Sequence, residues 1–428
     1  MRVHASHSLT LCTCAFAASV AACGAADPQV TVTDDGVPVA GAEVVFHDGR
    51  GTPVAHVTTG ADGQASADID DGGMITVLVE HPQFGRVRGT FMGVERGDAL
   101  TFAPPWWHAE RIGTARIVVT PYPGAATYVV QTPRATVYTA DVGEPIELEI
   151  TDRALSPDGT LQVLVTAGDA NGDLMAVASV RDAAWTQPMT VTMPAWRAPA
   201  TYMLQTTAAP AGARSVWAEL AYQANGVRLF GASRTQAMSP GEAALFVMSY
   251  APDFADWLDA QVAVLFGGDD EEPAAATLLV ERRAVPPSGR MLSLITGMLP
   301  AIGGLTVDDA AARPTMTWPA ADLSAADGGA ASFVWTDASM NRAGWTVLVP
   351  PDVTHVQLPA LPAELAAWTP PAGATFADSA LVFVDGDWMS SYDALRSDVA
   401  AMAFAAGDVR AILPARDARL TATMTGDL

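Results

Sequence analysis

The chain has 428 residues, half of them apolar, with 23 basic and 47 acidic residues and a formal net charge of −24. That length gives a prior of about three domains, and that apolar content supplies cores, so wholesale disorder is excluded. Every basic residue is arginine, which removes Schiff-base, P-loop and lysine-base chemistry, and the acidic balance argues against nucleic acid, whose binding is driven by neutralising phosphates.

The three cysteines, Cys12, Cys14 and Cys23, all fall in the first 23 residues. Arg2 makes a weak basic start, and Ser8 to Ala22 form a mainly apolar stretch. As a helix it spans roughly 22 Å, short of the roughly 30 Å hydrocarbon core, so it reads as a signal peptide over residues 1–22 rather than an anchor helix. The ending Val20-Ala21-Ala22-Cys23-Gly24 resembles the lipobox of bacterial lipoproteins, with Val in place of the family's usual Leu. The resemblance implies that Cys23 is diacylated on sulfur and becomes the new N-terminus, with residues 23–28 as a lipidated tether. Gly24 in place of Asp implies the outer membrane. The expected location is the bacterial cell envelope, with the membrane as partner through a lipid anchor. The alternative is an ordinary cleavage site with an incidental cysteine. An anionic surface would repel so acidic a chain, but exposed charges are screened beyond about 8 Å. Each buried CH₂ contributes about 0.8 kcal/mol, so two acyl chains prevail.

The stretch from Gly36 to Ile69 sets turn residues between short β-branched runs. Val30 to Thr33 alternates as a strand, Asp34-Asp35-Gly36 turns, and Ala42 to His47 forms a second strand with Val44 and Phe46 on one side and Val45 on the other. His47 to Pro53 is a hairpin connection with Asp-Gly at the positive-φ position. Val54 to Thr58, Ala65 to Ile69 and Ile75 to Val79 complete the set. The pattern G-x-P-V-A-G-A-x-V, a hairpin, then T-x-x-D-G-x-A resembles the carboxypeptidase regulatory-like domain, a transthyretin-like sandwich, over residues 28 to 82. Bacterial Ig-like modules share these cues and are the alternative. Neither speaks to function, because such modules are mostly spacers or binding units.

Downstream, Leu161 to Val180, Val216 to Ser233 around Asn225-Gly226, and Ala260 to Arg283 each read as strand, turn, strand. Hairpins at this spacing predict an all-β chain of serial β-sandwich domains. Breaks near Pro104-Pro105, Ala198-Pro199 and Arg313-Pro314 divide it into residues 29–104, 105–198, 199–312 and 313–428. Helical turns are expected around Pro252 to Leu258 and Tyr392 to Phe404. The last block, with Trp318, Trp335 and Trp345 expected in its core, weakly resembles fibronectin type III, and no residue is carried over from that family.

Chemistry-bearing motifs are sparse. His47, His56, His81, His108 and His355 follow the signal region, without H-E-x-x-H or a Cys/His cluster, so no metal is expected. His47 and His56 flank one hairpin and are expected to face each other across its strands, without a third ligand. Asp169, Asn171 and Asp173 have the first spacings of a calcium loop, but Leu174 stands where Gly belongs and Val180 where Glu belongs. Asp68, Asp70 and Asp71, Asp385 with Asp387, and the run Asp269 to Glu272 read as solvated tips. There is no G-x-S-x-G elbow, and S-x-x-K is impossible without lysine. Paired carboxylates of the glycosidase kind depend on spatial pairing that sequence does not give. No catalytic residue and no cofactor are therefore expected, and Trp106 with Trp107, beside His108 and Glu110, is the expected binding edge. The sequence reads as a membrane-anchored envelope lipoprotein with a structural, adhesive or binding role and an envelope protein or glycan as partner. The alternatives are a carbohydrate- or peptide-binding lipoprotein of an uptake system and, third, a hydrolase.

Overall fold

The computed structural model describes residues 26–34, 36–81, 85–103, 110–267, 274–284, 289–310, 313–405 and 407–426. Cys23, Trp106, Trp107, His108 and the acidic run Asp269 to Glu272 lie outside the described residues. The protein is all-β, built from two-layer sandwiches. The first unit contains β1 (Gln29–Asp34), β2 (Val37–Pro38), β3 (Glu43–His47), β4 (Pro53–Thr58), β5 (Gln64–Ser66), β6 (Gly73–His81), β7 (Gly85–Val94) and β8 (Ala99–Phe102). β1 pairs antiparallel with β2 and β5 and parallel with β8, while β4-β3-β6-β7 form the other layer.

This plan recurs. The second unit runs β9 (Arg111–Val118), β10 (Thr127–Thr132), β11 (Ala135–Thr139), β12 (Ile146–Thr151), β13 (Thr160–Gly168), β14 (Leu174–Ala184) and β15 (Met189–Thr192). The third runs β16 (Ala200–Thr206), β17 (Ala213–Ala224), β18 (Val227–Ala237), β19 (Leu245–Tyr250), β20 (Trp257–Phe266), β21 (Ala275–Arg283) and β22 (Gly289–Leu292). In both, as in the first unit without β2, the first strand pairs antiparallel with the fourth and parallel with the seventh. The third, second, fifth and sixth strands form the larger layer in that order. The fourth unit holds β23 (Thr306–Asp308), β24 (Thr315–Thr317), β25 (Gly328–Thr336), β26 (Arg342–Val349), β27 (His355–Gln357), β28 (Ala380–Gly386) and β29 (Ala418–Gly426). Here β24 opens the pattern, and β23 lies beside it in the place of a seventh strand, running antiparallel. β23 precedes the break read at Arg313, yet it pairs into the fourth unit.

The three predicted hairpins form as β13/β14, β17/β18 and β20/β21. Asn225 and Gly226 carry φ of 50° and 78°, the two left-handed positions that a two-residue hairpin requires. The expected helical turn at 252–258 is corrected. Asp253 adopts φ of 60°, which breaks helical continuity, and β20 begins at Trp257. Phe254 is buried edge-on against Tyr222, with ring centroids 5.5 Å apart. The other expectation holds, as α1 (Tyr392–Ser397), capped by Ser391, and α2 (Ala401–Ala405).

What the sequence does not announce is that three units share one sheet, in the order β18-β17-β20-β21-β29-β28-β25-β26-β7-β6-β3-β4. β21 and β29 join the third and fourth units antiparallel, from Ala275↔Thr425 to Arg282↔Ala418. β26 and β7 join the fourth and first units in parallel, from Thr346↔Gly89 to Leu348↔Phe91. Geometry then fixes which side each second layer takes. An antiparallel joint between two sixth strands relates units by a rotation about the sheet normal, so both second layers lie on one side. A parallel joint of a third strand with a sixth relates units by a rotation in the plane, so the first unit is turned over.

Burial follows this alternation. Ala331, Phe333, Trp345, Val347 and Phe383 face the small layer of the fourth unit, with Met316, Trp318 and Val356. Trp318, Trp335 and Trp345 are all buried. Ala330, Leu348, Val384, Leu420 and Ala422 face the other way. They are covered by the connection between β28 and β29, through Leu395, Met402, Phe404, Ile412 and Leu413, in one core that also holds Val44, Phe46, Ile75 and Phe102 of the first unit and Leu278 and Val280 of the third. Gly89 permits this closeness. A Cβ there would lie 2.5 Å from a Phe102 ring carbon and 3.0 Å from the Met402 sulfur. The second unit leans on the third, with Leu164 and Val177 joining the core of Tyr222 and Phe246.

Ala422 pairs with Leu278 on one side and Val384 on the other, in the middle of the shared sheet. Ala422→Pro removes a ladder hydrogen bond in a central strand and should destabilise the shared sheet. Hydrogen exchange should then accelerate in both β21 and β28. Retained protection in β21 would contradict the coupling of the two units.

Candidate functional site

His47 and His56 serve the framework. His56 stands opposite Val45 rather than His47, and its ring contacts Glu43 at 2.7 Å and Glu364 at 3.3 Å. His47 is fully buried. Its Nε2 lies 2.9 Å from Thr76 Oγ1, which lies 3.0 Å from Thr90 Oγ1. The Trp345 indole N–H donates to Thr90 Oγ1 at 2.9 Å. This buried polar chain crosses the joint between the first and fourth units. His47 Nδ1 has no hydrogen-bond partner, and burial, reinforced by the Arg313 charge, lowers the imidazole pKa to about 4.

Arginines clamp the same joint. The Arg88 guanidinium is buried 5.1 Å from the Trp335 ring centroid and 5.6 Å from that of Trp368, and its Nε donates to the Trp368 carbonyl at 2.7 Å. Arg396, fully buried, pairs with Asp98 at 2.8 Å and Asp393 at 2.9 Å and donates to the Gly93 carbonyl. The acidic tip at Asp169 closes on itself. Its Oδ1 accepts from the Asn171 and Asp173 amides at 2.8 and 2.9 Å. Among the described residues no three His, Cys, Asp or Glu side chains gather as metal ligands.

One concavity goes beyond anything read from the sequence. A groove of about 1480 Å³ runs over the outer face of the third unit's larger layer, where Gln223, Arg228, Phe230, Trp257 and Arg282 present side chains. Pro133, Arg134, Asp152, Arg153 and Pro157 of the second unit wall one side, and Asp408, Arg410 and Leu413 of the segment before β29 wall the other. Two buried carboxylates lie beneath it, Glu219 and Asp259. Arg282 is fully engaged. Its Nε and Nη2 donate to the two Asp259 oxygens at 2.7 and 2.8 Å, and its Nη1 donates to the Leu413 and Pro414 carbonyls at 2.9 and 3.1 Å.

Arg228 and Arg410 are held differently. Both reach the same oxygen, Glu219 Oε1, Arg410 at 3.4 Å, and the Nε of each lacks a hydrogen-bond partner. Burial pushes the Glu219 carboxyl upward while both arginines pull it down. Burial, followed by the neighbouring Arg410 charge, lowers the Arg228 pKa. One carboxylate thus faces two guanidiniums at the groove floor. The signal for this site is dispersed through the sequence, because Glu219, Arg228 and Arg410 meet only through strand pairing and the long connection.

No family model matches the chain, and no curated protein matches it. Among solved structures, the Bacillus anthracis TIE protein is 9% identical, with a TM-score of 0.15, over 63% of this chain and 49% of that one. A leucine-rich repeat protein from Bacteroides thetaiotaomicron is 12% identical, with a TM-score of 0.14, over 42% and 25%. The open conformation of the pilus adhesin SpaC from Lactobacillus rhamnosus GG is 10% identical, with a TM-score of 0.15, over 79% and 44%. The chain thus spans about half the length of the first and a quarter of the second. Likenesses at these TM-scores carry no argument about function.

The His47 chain predicts a pH response. The unfolded imidazole takes a proton below about 6.5, whereas the folded one stays neutral to about 4. Its contribution is therefore complete above pH 6.5 and lost as pH falls towards 4, by up to about 3 kcal/mol. Denaturation across this range should show a steeper loss in the wild type than in His47→Gln. Equal slopes would remove His47 as the source.

Proposed function

We propose that this chain is a lipid-anchored protein of the bacterial cell envelope that acts by contact, as a structural or adhesive element, without turning over a substrate. The observation that carries the reading is the shared sheet. Three sandwiches joined through backbone hydrogen bonds resist relative motion in a way that tethered modules do not, and a stiff body suits a scaffold or adhesin. The tether read from residues 23–28 ends where β1 begins at Gln29. The signal-like segment and its cysteine add the anchor on sequence grounds, and acyl chains supply the membrane affinity.

The groove between the second and third units favours a second reading, a binding lipoprotein that delivers a carbohydrate or peptide to an uptake system. The two readings share the anchor and differ in whether the bound material is handed on.

Anchoring is tested by feeding cells labelled palmitate. The wild type should take up label and fractionate with membranes, and Cys23→Ser should lose both. A wild-type chain found unlabelled in the soluble fraction would falsify the lipoprotein reading. Contact without turnover is checked by incubating the purified protein with glycoside, ester and peptide substrates. Product formation abolished by a single Asp, Glu, Ser or His substitution would make it a hydrolase.

A further inference from the structure

The outer faces of the four small layers are alike except in the third unit. Alternate residues of each layer's central strand point away from the core, and each lies beside a residue of both neighbouring strands. The row reads Gln64–Thr31–Thr101 in the first unit and Glu147–Arg116–Thr190 in the second. In the fourth it reads Thr306–Thr317–His355. In the third unit two successive rows read Val247–Met203–Gly289 and Leu245–Gln205–Met291. Met203, Leu245, Val247 and Met291 are between 47% and 63% exposed. Single exposed apolar side chains are ordinary, but four adjoining on one sheet face mark a contact surface. The polar rows of the sister units show that the fold does not require them.

We propose that this face packs against the same face of a second copy of the chain, closing a two-fold dimer. The proposal goes beyond the contact reading above and does not depend on the lipid anchor. Three observations select the occupant. First, no residue in these two rows, or in the flanking pair Thr201 and Ser249, is charged. A membrane-surface site joins its apolar residues to basic ones, and a charged partner would need a countercharge that the face lacks. Second, chains of net charge −24 repel one another, so two copies approach best where their surfaces are neutral. Third, the faces by which identical chains meet are richer in apolar area than those offered to passing partners. The other three small-layer faces carry polar rows, so this one is matched by its own copy, and such self-complementary pairing stops at two. A standard interface covers about 800 Å² per partner, more than a few short rows provide, so the dimer is weak and concentration-dependent.

The experiment is cysteine cross-linking of the full chain in detergent-free lysate. Met203→Cys, Leu245→Cys and Val247→Cys are made singly and treated with a bis-maleimide that reaches about 10 Å, the spacing of packed sheets. The unaltered chain, with Cys12, Cys14 and Cys23 as its only cysteines, gives the background, and Thr190→Cys samples the second unit's face. The expected product has twice the chain mass, with peptide mapping placing the link between the two introduced cysteines, and its fraction rises with expression level. Adding M203E/L245E to Val247→Cys should reduce it at least about tenfold. No product from any of the three positions, a product joined to a different protein, or an equal yield from Thr190→Cys would each overturn the proposal. The single exposed substitutions decide this even if the glutamate variant fails to fold. Lysate without detergent retains both membrane-bound and soluble chains, so the outcome is independent of the palmitate test.

Discussion

The edge of a β-sheet is a row of N–H and C=O groups with partners on one side only, and that row must be paired, covered or blunted. The seven-strand unit repeated in this chain exposes two such edges in its larger layer, the third strand and the sixth. Pairing sixth with sixth and third with sixth consumes the inner edges and leaves the shared sheet bounded by β18 and β4. Much else follows from that choice. The direction of each joint sets which side the second layers occupy, and the side left bare over the fourth unit needs its own cover. The connection holding α1 and α2 supplies it and carries Arg396, Tyr392 and Met402 into the first unit.

The joints differ in how they are secured. The antiparallel joint is long, and its alternate residues are buried on both sides, with Leu278, Val280 and Ala422 on one and Leu279, Thr421 and Thr423 on the other. The parallel joint is short and relies on side chains instead: the His47–Thr76–Thr90–Trp345 chain and the two-indole cage of Arg88. A short backbone ladder reinforced by buried polar groups depends on those groups being fully matched. Among the described residues, the Nδ1 of His47 and the Nε of Arg396 are exceptions at this joint.

Local features were legible in the sequence. Alternation placed Val44 and Phe46 opposite Val45, and Asn225-Gly226 marked its hairpin, because both signals act over a few residues. The all-β class followed from the spacing of such hairpins. The shared sheet did not, since β29 meets β21 across more than a hundred residues and nothing in either strand's alternation names a partner. The helical turn read near Pro252 failed for a related reason, because the burial of Phe254 against Tyr222 overrode local propensity. The groove was invisible for the same cause. Its arginines are scattered, and only the fold brings two of them to one carboxylate.

The position of β29 has a consequence for assembly. It is the last described strand in chain order, yet it lies inside the sheet between β21 and β28. Until Ala418 to Gly426 emerges during synthesis, the third unit's sixth strand and the fourth unit's fifth both stand with open backbone, beside apolar faces meant for burial. The nascent protein therefore passes through a stage at which its most adhesive surfaces are bare, and strand pairing with another copy competes with completion. Long-range closure of this kind is slow compared with local hairpin formation, so those surfaces stay open until that strand arrives.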